Sequence, residues 1–275
     1  MLLSSLVGAC SALLVSYAEI TKIVVLLIFF QATLSFLLTF KKSKFKIHVI
    51  KKNYIIAFFR TIFGLGIYYA YYMGLSYKNP ATSSLLLNMA PILVPFLLMY
   101  KKKLSLIDII AVCLCFGGLV IFQDFDFNNI MFGPILLWGL LSSFCFALTI
   151  VLVDKMKEKM DTSEIINLYS LFSIIIIFPF ALPYFEEILE LPLWFYIANS
   201  VLFYLRQYTI NHAAGMLPAT YIGPLNYFTI LFIWIFDVLI KDIIIQPHQI
   251  FGFIIILLSF IILKFGQNNK LLKSR

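Results

Sequence analysis

The chain has 275 residues, of which 62% are hydrophobic and only 12% are charged, and its mean hydropathy is +0.99. Soluble domains carry about 25% charged residues, so this composition excludes a water-soluble fold and indicates a surface that largely faces lipid. The net charge of +8 does not indicate a nucleic-acid-binding protein, because the basic residues lie between apolar runs, where membrane proteins carry cationic loops that meet anionic phospholipid.

Apolar runs follow one another along the whole chain. A bilayer core of about 30 Å requires about 20 apolar residues per helix, and ten runs of this kind are predicted to span the membrane. In chain order they cover residues 2–18, 22–40, 54–76, 80–100, 105–122, 131–153, 163–183, 192–214, 218–239 and 247–264. The predicted fold class is therefore an all-α integral membrane protein with ten transmembrane helices.

The distribution of lysine and arginine predicts the orientation of these spans. If the spans alternate in direction, sixteen of the 21 basic residues fall on one side, in the loops after spans two, four and six and in the C-terminal tail. Only Lys22, Lys78 and Lys241 fall on the other side. Basic residues are enriched in cytoplasmic loops. We therefore expect a multi-pass protein of the bacterial inner membrane with both termini in the cytoplasm.

Two similar segments begin the fourth and ninth predicted spans. Residues 80–88 read PATSSLLLN and residues 218–226 read PATYIGPLN, which are identical at five of nine positions. Five spans separate the two copies, so they enter the membrane from opposite sides. This pattern predicts two inverted five-helix repeats, residues 1–125 and 126–275. Secondary transporters use this arrangement and bind their substrates near the midplane, between the repeats.

The segment from residue 60 to residue 98 reads RTIFGLGIYYAYYMGLSYKNPATSSLLLNMAPILVPFLL. It resembles the first-repeat signature of EamA-type carriers in the drug/metabolite transporter superfamily, in which an arginine opens the third span and a later small-residue helix ends in a proline, here Pro91. PATYIGPLNYFTILFIW resembles the matching ninth span, with Pro224 and Tyr227 in the corresponding places. The acidic residue that the family carries after the fourth span is replaced by Lys101–Lys103. The resemblance implies a carrier, and such families transport amino acids, S-adenosylmethionine, purines or nucleotide sugars.

Polar residues deep in the predicted spans are candidates for substrate binding. Asn88 and Asn226 lie about 12 Å beyond the start of their spans, where an asparagine can bind a polar solute or join two helices. Arg206 lies at a similar depth, where arginine costs about 3 kcal/mol or more. No carboxylate is predicted at that depth, so its partner is a solute carboxylate or phosphate, backbone carbonyls, or water in a cavity. Arg60 is predicted to be shallower, and its side chain could reach the membrane surface.

Tyrosines complete the set of candidate substrate-binding residues, since a tyrosine ring can stack on a planar or cationic group. The selected residues are Tyr68, Tyr204, Tyr221 and Tyr227. Packing or a lipid-facing position is the alternative for any one of them. With the arginines and asparagines, they favour an amino acid or an S-adenosylmethionine-like solute that carries a carboxylate or phosphate. No cofactor or metal is predicted, because the three histidines are scattered and no HExxH motif occurs.

The predicted function is secondary transport of a small polar metabolite by alternating access. Exchange or facilitated diffusion is favoured over proton symport, because no aspartate or glutamate is predicted near the middle of the membrane. One alternative is a membrane partner subunit or a lipid flippase component that transports no solute itself. The other alternative is a membrane-embedded enzyme, which is not favoured because the sequence has no cluster of catalytic residues. The third span carries small residues at Gly66, Ala70 and Gly74. This spacing fits either a homodimer contact or close helix packing within the chain.

Overall fold

The structure is a computed structural model, which describes residues 1–16, 24–40, 47–75, 87, 89–90, 93–94, 97, 106–122, 134–216, 222, 225–241 and 246–273. Regular structure within these ranges is helical. The helices are α1 (Leu2–Ser16), α2 (Val24–Phe40), α3 (Ile47–Leu75), α4 (Leu106–Phe122), α5 (Pro134–Met156), α6 (Thr162–Ala181), α7 (Leu193–Met216), α8 (Phe228–Lys241) and α9 (Pro247–Lys273), and a 3-10 helix, Leu182–Glu190, joins α6 to α7. Within these ranges, three segments are long and apolar enough to cross a membrane: Asn53–Met73, Leu136–Met156 and Thr162–Glu190.

Each predicted span except the fourth overlaps one of these helices, although α8 begins at Phe228, ten residues into the ninth span, residues 218–239. The fourth, residues 80–100, lies almost wholly outside the described residues, but Ala90 and Val94 are buried against α5. The predicted third span, residues 54–76, starts within one residue of the apolar segment Asn53–Met73, and α3 begins earlier, at Ile47. Likewise, α9 continues beyond the predicted tenth span, to Lys273. A bilayer limits the apolar stretch of a helix, whereas the backbone hydrogen bonds continue into water.

Local sequence signals fix several helix ends. Proline is the first residue of both α5 and α9, a position whose backbone N–H needs no partner within the helix. At the start of α6, the backbone N–H of Asp161 donates to the Glu164 carboxylate at 2.9 Å, which is half of a capping box. These signals place the turns that separate one helix from the next.

Helix packing repeats between the two halves of the chain. Counting spans, α1, α2, α3 and α4 correspond to α5, α6, α7 and α9, each five spans later. Accordingly, α1 packs on α7 as α5 packs on α3, and α2 packs on α7 as α6 packs on α3. The pairs α2–α6 and α4–α9 consist of helices that are each other's counterparts. These main packing pairs are therefore unchanged when the halves are exchanged, as a two-repeat architecture requires.

Two interhelical hydrogen bonds follow the same relation. Ser4 Oγ on α1 donates to the carbonyl of Arg206 on α7 at 3.4 Å. Ser142 Oγ on α5 donates to the carbonyl of Ile67 on α3 at 3.1 Å. The two serines are 138 residues apart, the same offset as the two PAT segments. The repeat thus extends from the sequence to the polar contacts that join the halves.

The pair α4–α9 packs backbone against backbone. A Cβ atom at Gly252 would lie 2.5 Å from the backbone nitrogen of Phe122 and 2.6 Å from the carbonyl oxygen of Gly118. Small residues permit this approach, which is a principal source of helix association in lipid. Around the contact, Cys115, Leu119 and Ile256 are buried in an apolar cluster. This pair lies outside the helices that surround the central cavity.

Candidate functional site

A cavity lies between the two repeats. It is walled mainly by α1, α3, α5, α7 and the segment from residue 222 to residue 233, so both halves contribute. Its volume is about 120 Å³, several times the roughly 10–15 Å³ that one water requires, so a small organic solute fits. Arg60 and Arg206 supply the charge among the described lining residues, and none of these is acidic.

Arg60 is the most deeply buried cation of the described structure. Only 2% of its surface is exposed, and its guanidinium carbon lies 3.9 Å from the centroid of the Tyr169 ring. The expectation that Arg60 could reach the membrane surface is wrong, because its side chain is buried and its guanidinium contacts Tyr169 and Gln207 instead. Its Nη2 donates to Gln207 Oε1 at 3.1 Å, but Nε and Nη1 find no acceptor among the described residues. Arg60 therefore has hydrogen-bond donors to offer beside the cavity.

Gln207 organises the side chains around Arg60. Its Oε1 accepts from Arg60 and also from Asn211 Nδ2, at 3.2 Å, while its Nε2 donates to the Tyr68 hydroxyl at 3.1 Å. Asn211 Nδ2 also donates to the backbone carbonyl of Gln207, at 2.7 Å. Four cavity-lining residues thus form one network, and its oxygen acceptor is already shared between two donors.

Arg206, the residue before Gln207 on α7, also lines the cavity. Its Nη2 donates to Asn226 Oδ1 at 3.4 Å. A Cβ at Gly8 would lie 3.1 Å from both Cζ and Nε of Arg206, so the absence of a side chain on α1 makes room for the guanidinium. Arg206 is partly exposed, in contrast to Arg60. The two arginines thus come from counterpart helices, α3 and α7, and line one cavity.

Aromatic rings cover part of the same wall. The Tyr68 and Phe203 centroids lie 5.0 Å apart in an edge-on arrangement, and Tyr169 stacks on Phe203 at 6.4 Å. Tyr71 and Tyr72 also line the cavity. This wall offers an apolar surface next to the arginines, which suits a solute with both an anionic and a planar part.

The structure brings four of the eight predicted site residues together: Arg60, Tyr68, Arg206 and Asn226. Tyr204 lies outside the cavity lining, with its ring 6.1 Å from that of the exposed Tyr208. Tyr227 is completely buried in the apolar cluster that joins α4 and α9. Asn88 and Tyr221 lie outside the described residues.

Sequence reasoning did not select Gln207, Asn211 or Tyr169. Gln207 and Asn211 are four residues apart and therefore share one face of α7. With Asn199 they form a row of buried polar residues in an otherwise apolar helix. That row was a usable signal, because polar side chains inside a membrane usually face another helix or a cavity. Nothing in the sequence near Tyr169 indicates that its ring lies under Arg60.

One end of the cavity is closed by apolar contacts. Val153, Ala214 and Ile222 line the cavity and are buried together. At the same end, Lys157 Nζ donates to Thr162 Oγ1 at 3.3 Å and to the His212 carbonyl at 3.5 Å. Burial lowers the pKa of Lys157, and the nearby Asp161 opposes that shift. We call this end, where the turn 157–161 joins α5 to α6, the Lys157 end.

No group of three metal-binding side chains is brought together among the described residues. The donors that the cavity offers are instead guanidinium and amide groups, together with hydroxyls. Such groups bind an organic anion by hydrogen bonds and charge.

Comparisons with known proteins support the same architecture. The profile described as "EamA-like transporter family" matches the chain twice, over residues 1–123 and 133–265. Among solved structures, a crystal structure described only as that of a protein is similar with a TM-score of 0.73 at 11% identity, covering 97% of this chain and 95% of its own. At this identity the likeness shows the fold alone. No curated protein matches the chain significantly in sequence.

Proposed function

Since the chain belongs to the EamA-like transporter family, we propose that it is a secondary transporter that moves a small polar metabolite across the bacterial inner membrane by alternating access. Its substrate carries a carboxylate or phosphate, and amino acids and S-adenosylmethionine-like solutes are the first candidates. The sixteen basic residues on one predicted side support an orientation with both termini in the cytoplasm.

The observation that carries this proposal is the position of Arg60 and Arg206 beside one cavity between the repeats. Arginine in a membrane span is costly, and such residues commonly mark the path of a substrate. A guanidinium binds carboxylate or phosphate with charge-assisted hydrogen bonds. Both arginines line the space where transporters built from repeats bind their solute. Arg60, Tyr68, Arg206 and Asn226 are therefore the proposed substrate-binding residues.

Uptake by proteoliposomes tests this function. Purified protein is reconstituted and given labelled amino acids, S-adenosylmethionine, nucleosides and nucleotide sugars, each with and without unlabelled solute inside. We expect saturable uptake of at least one solute, accelerated by internal solute if the carrier is an exchanger. Arg206→Ala should reduce that uptake, because it removes a donor that lines the cavity.

Two outcomes would count against the proposal. No uptake of any solute by protein that remains folded would favour a partner subunit or a lipid flippase component. Saturable uptake that Arg206→Ala leaves unchanged would keep the carrier but remove Arg206 from the substrate site. The exposed Lys155, at the end of α5, provides the matched control, since Lys155→Ala also removes one positive charge.

A further inference from the structure

The charges around the cavity bear on which solutes it accepts. Resting on the proposed function, we infer that the cavity selects organic anions, carboxylates or phosphates without an ammonium or sulfonium group, and that a hydroxyl on the solute adds to binding. The inference keeps the proposed carboxylate or phosphate but replaces amino acids and S-adenosylmethionine as first candidates, because each carries a cationic group beside the carboxylate.

The first step of the argument is the charge of the lining. Two guanidinium groups reach the cavity, and no described lining residue is acidic. On α5, Asp154 follows the lining residue Val153 in sequence but does not itself line the cavity. The described lining therefore meets a solute ammonium with two cations and no carboxylate. A net anion is attracted by both arginines.

The second step concerns the donors of Arg60. The side chain is 2% exposed and lines the cavity, and its Nε and Nη1 have no acceptor among the described residues. Buried polar groups are normally hydrogen-bonded, and an unmatched buried donor is costly. A carboxylate or phosphate oxygen supplies both the acceptor and the opposite charge. The face of Tyr169 and Gln207 Oε1 hold the guanidinium in place for that contact.

The third step concerns the oxygen acceptors of the wall. Asn226 Oδ1 already accepts from Arg206, and Gln207 Oε1 already accepts from Arg60 and Asn211. Three further buried oxygens have no partner among the described residues, Gln31 Oε1, Thr149 Oγ1 and Thr229 Oγ1, and all three residues line the cavity. These neutral oxygens can accept a hydrogen bond from a solute hydroxyl, but they do not offset a desolvated positive charge.

Matched solutes that differ only in charge or in a hydroxyl test the inference. Phenylpyruvate and phenylalanine share a carbon skeleton and a carboxylate, as do 2-oxoglutarate and glutamate. Phenyllactate adds a hydroxyl, and ribose 5-phosphate is compared with ribose. Binding to the purified full chain in detergent is measured as ligand-dependent thermal stabilisation, and transport as current across a supported proteoliposome layer. We expect each anion to bind about tenfold or more tightly than its zwitterionic or neutral partner, and its transport to move negative charge.

Variants localise the effect. Arg60→Gln and Arg206→Gln should each weaken anion binding about tenfold or more, because each removes a charge-assisted hydrogen bond. Lys155→Gln, which removes an exposed charge outside the cavity, should leave anion binding unchanged. If Arg60→Gln fails to fold, two measurements still test the inference: anion binding by Arg206→Gln, whose residue is partly exposed, and the matched solute series on the unmodified chain.

Each remaining outcome has a definite meaning. Equal or tighter binding of phenylalanine or glutamate than of the oxo acids would overturn the inference, and so would zwitterion binding that Asp154→Asn or Asp237→Asn abolishes. No stabilisation by any anion at millimolar concentration would also overturn it. Anion binding in detergent without uptake of any solute into vesicles would instead contradict the proposed transport function and leave the recognition of anions standing.

Discussion

At the scale of the residue, the environment of Arg60 combines a cation–π contact with an incomplete set of hydrogen bonds. A desolvated cation over an aromatic face is stabilised by about 2 kcal/mol, less than the several kcal/mol that burial of a charge costs. The contact with Tyr169 therefore orients the guanidinium without neutralising it. Under the proposed function, a solute carboxylate or phosphate supplies the missing acceptor and the opposite charge.

Replacement of Gln207 by glutamate tests this role of the solute. In Gln207→Glu a carboxylate of nearly the same shape would accept hydrogen bonds from Arg60, Asn211 and the Tyr68 hydroxyl, all of which can donate. We expect the free energy of unfolding to rise by about 1–3 kcal/mol, since a buried charge gains a charged partner. Anion binding should be lost at the same time. Thermal unfolding in detergent and uptake by proteoliposomes measure the two effects.

Gln207→Leu serves as the control for this substitution. It removes the same amide and supplies no charge, so the protein should become less stable while Arg60 remains available to an anion. If Gln207→Glu binds anions as tightly as the unmodified chain, Arg60 does not contact the solute. The specific expectation is that Gln207→Glu makes the protein more stable and at the same time abolishes anion binding.

Sequence alone could predict the depth of a side chain but not its direction. Arg206 and Asn226 were selected by depth, and both line the cavity. Tyr204 was selected with Arg206, yet residues two apart on a helix point to nearly opposite sides, so only one of them can face the cavity. Tyr227 follows Asn226 directly and turns into the apolar cluster of α4 and α9. The rotation of each helix about its axis depends on its neighbours, which a single span does not encode.

At the scale of the element, the α4–α9 pair depends on a contact between backbones. In Gly252→Ala the new Cβ would lie 2.5 Å from the backbone nitrogen of Phe122, which cannot move without moving α4. We expect the pair to separate and the free energy of unfolding to fall by about 1–3 kcal/mol or more, as for an overpacked core. The melting temperature in detergent should therefore decrease.

Gly117 offers a matched control on the partner helix. A Cβ there would meet nothing within 4 Å, so Gly117→Ala should leave the protein as stable or add about 0.5–1 kcal/mol through higher helix propensity. Equal melting temperatures for the two variants would show that the close approach at Gly252 does not contribute to stability. A loss of stability confined to Gly252→Ala would support it.

Element positions were the part of the fold that the sequence predicted best, because apolar runs of about 20 residues directly reflect the thickness of the bilayer. The ends were less predictable where a helix leaves the membrane. Lys51 and Lys52 led to a predicted loop, although α3 already includes both residues. The apolar part of α3 nevertheless begins at Asn53, so the error concerns the end of the helix and not the depth of Arg60.

At the scale of the whole molecule, the two repeats explain why the cavity lies where it does. The predicted resemblance to EamA-type carriers is confirmed by a family match in each half of the chain. Exchange of the halves preserves the packing pairs α1–α7 and α5–α3, so the walls of the cavity are built from counterpart helices. The side chains on these walls are not symmetric: Arg60 on α3 and Arg206 on α7 are 146 residues apart rather than 138. A symmetric scaffold therefore encloses a cavity whose described lining is asymmetric.

The same symmetry predicts how the cavity opens. Val153 closes the Lys157 end, and Val15, 138 residues earlier, also lines the cavity and is buried, with Tyr72. If the repeats are inverted, these two valines lie at opposite ends of the cavity. As the halves rock, the apolar contacts at one end can separate while those at the other end form. The Lys157 end is the predicted cytoplasmic end, so its closure in this structure should be reversible.

Labelling of a cysteine at Ala214 measures this opening. Ala214 is 8% exposed within the closure at the Lys157 end, so in a chain whose four native cysteines are replaced, Ala214→Cys should react slowly with a membrane-impermeant maleimide applied to inside-out vesicles. A transported solute should change that rate, because it shifts the population between outward-open and inward-open states. Lys159→Cys, in the exposed turn 157–161, should react quickly whether or not solute is present. If the rate at Ala214→Cys never responds to a solute that proteoliposomes take up, the closure at the Lys157 end is permanent and the solute leaves by another route.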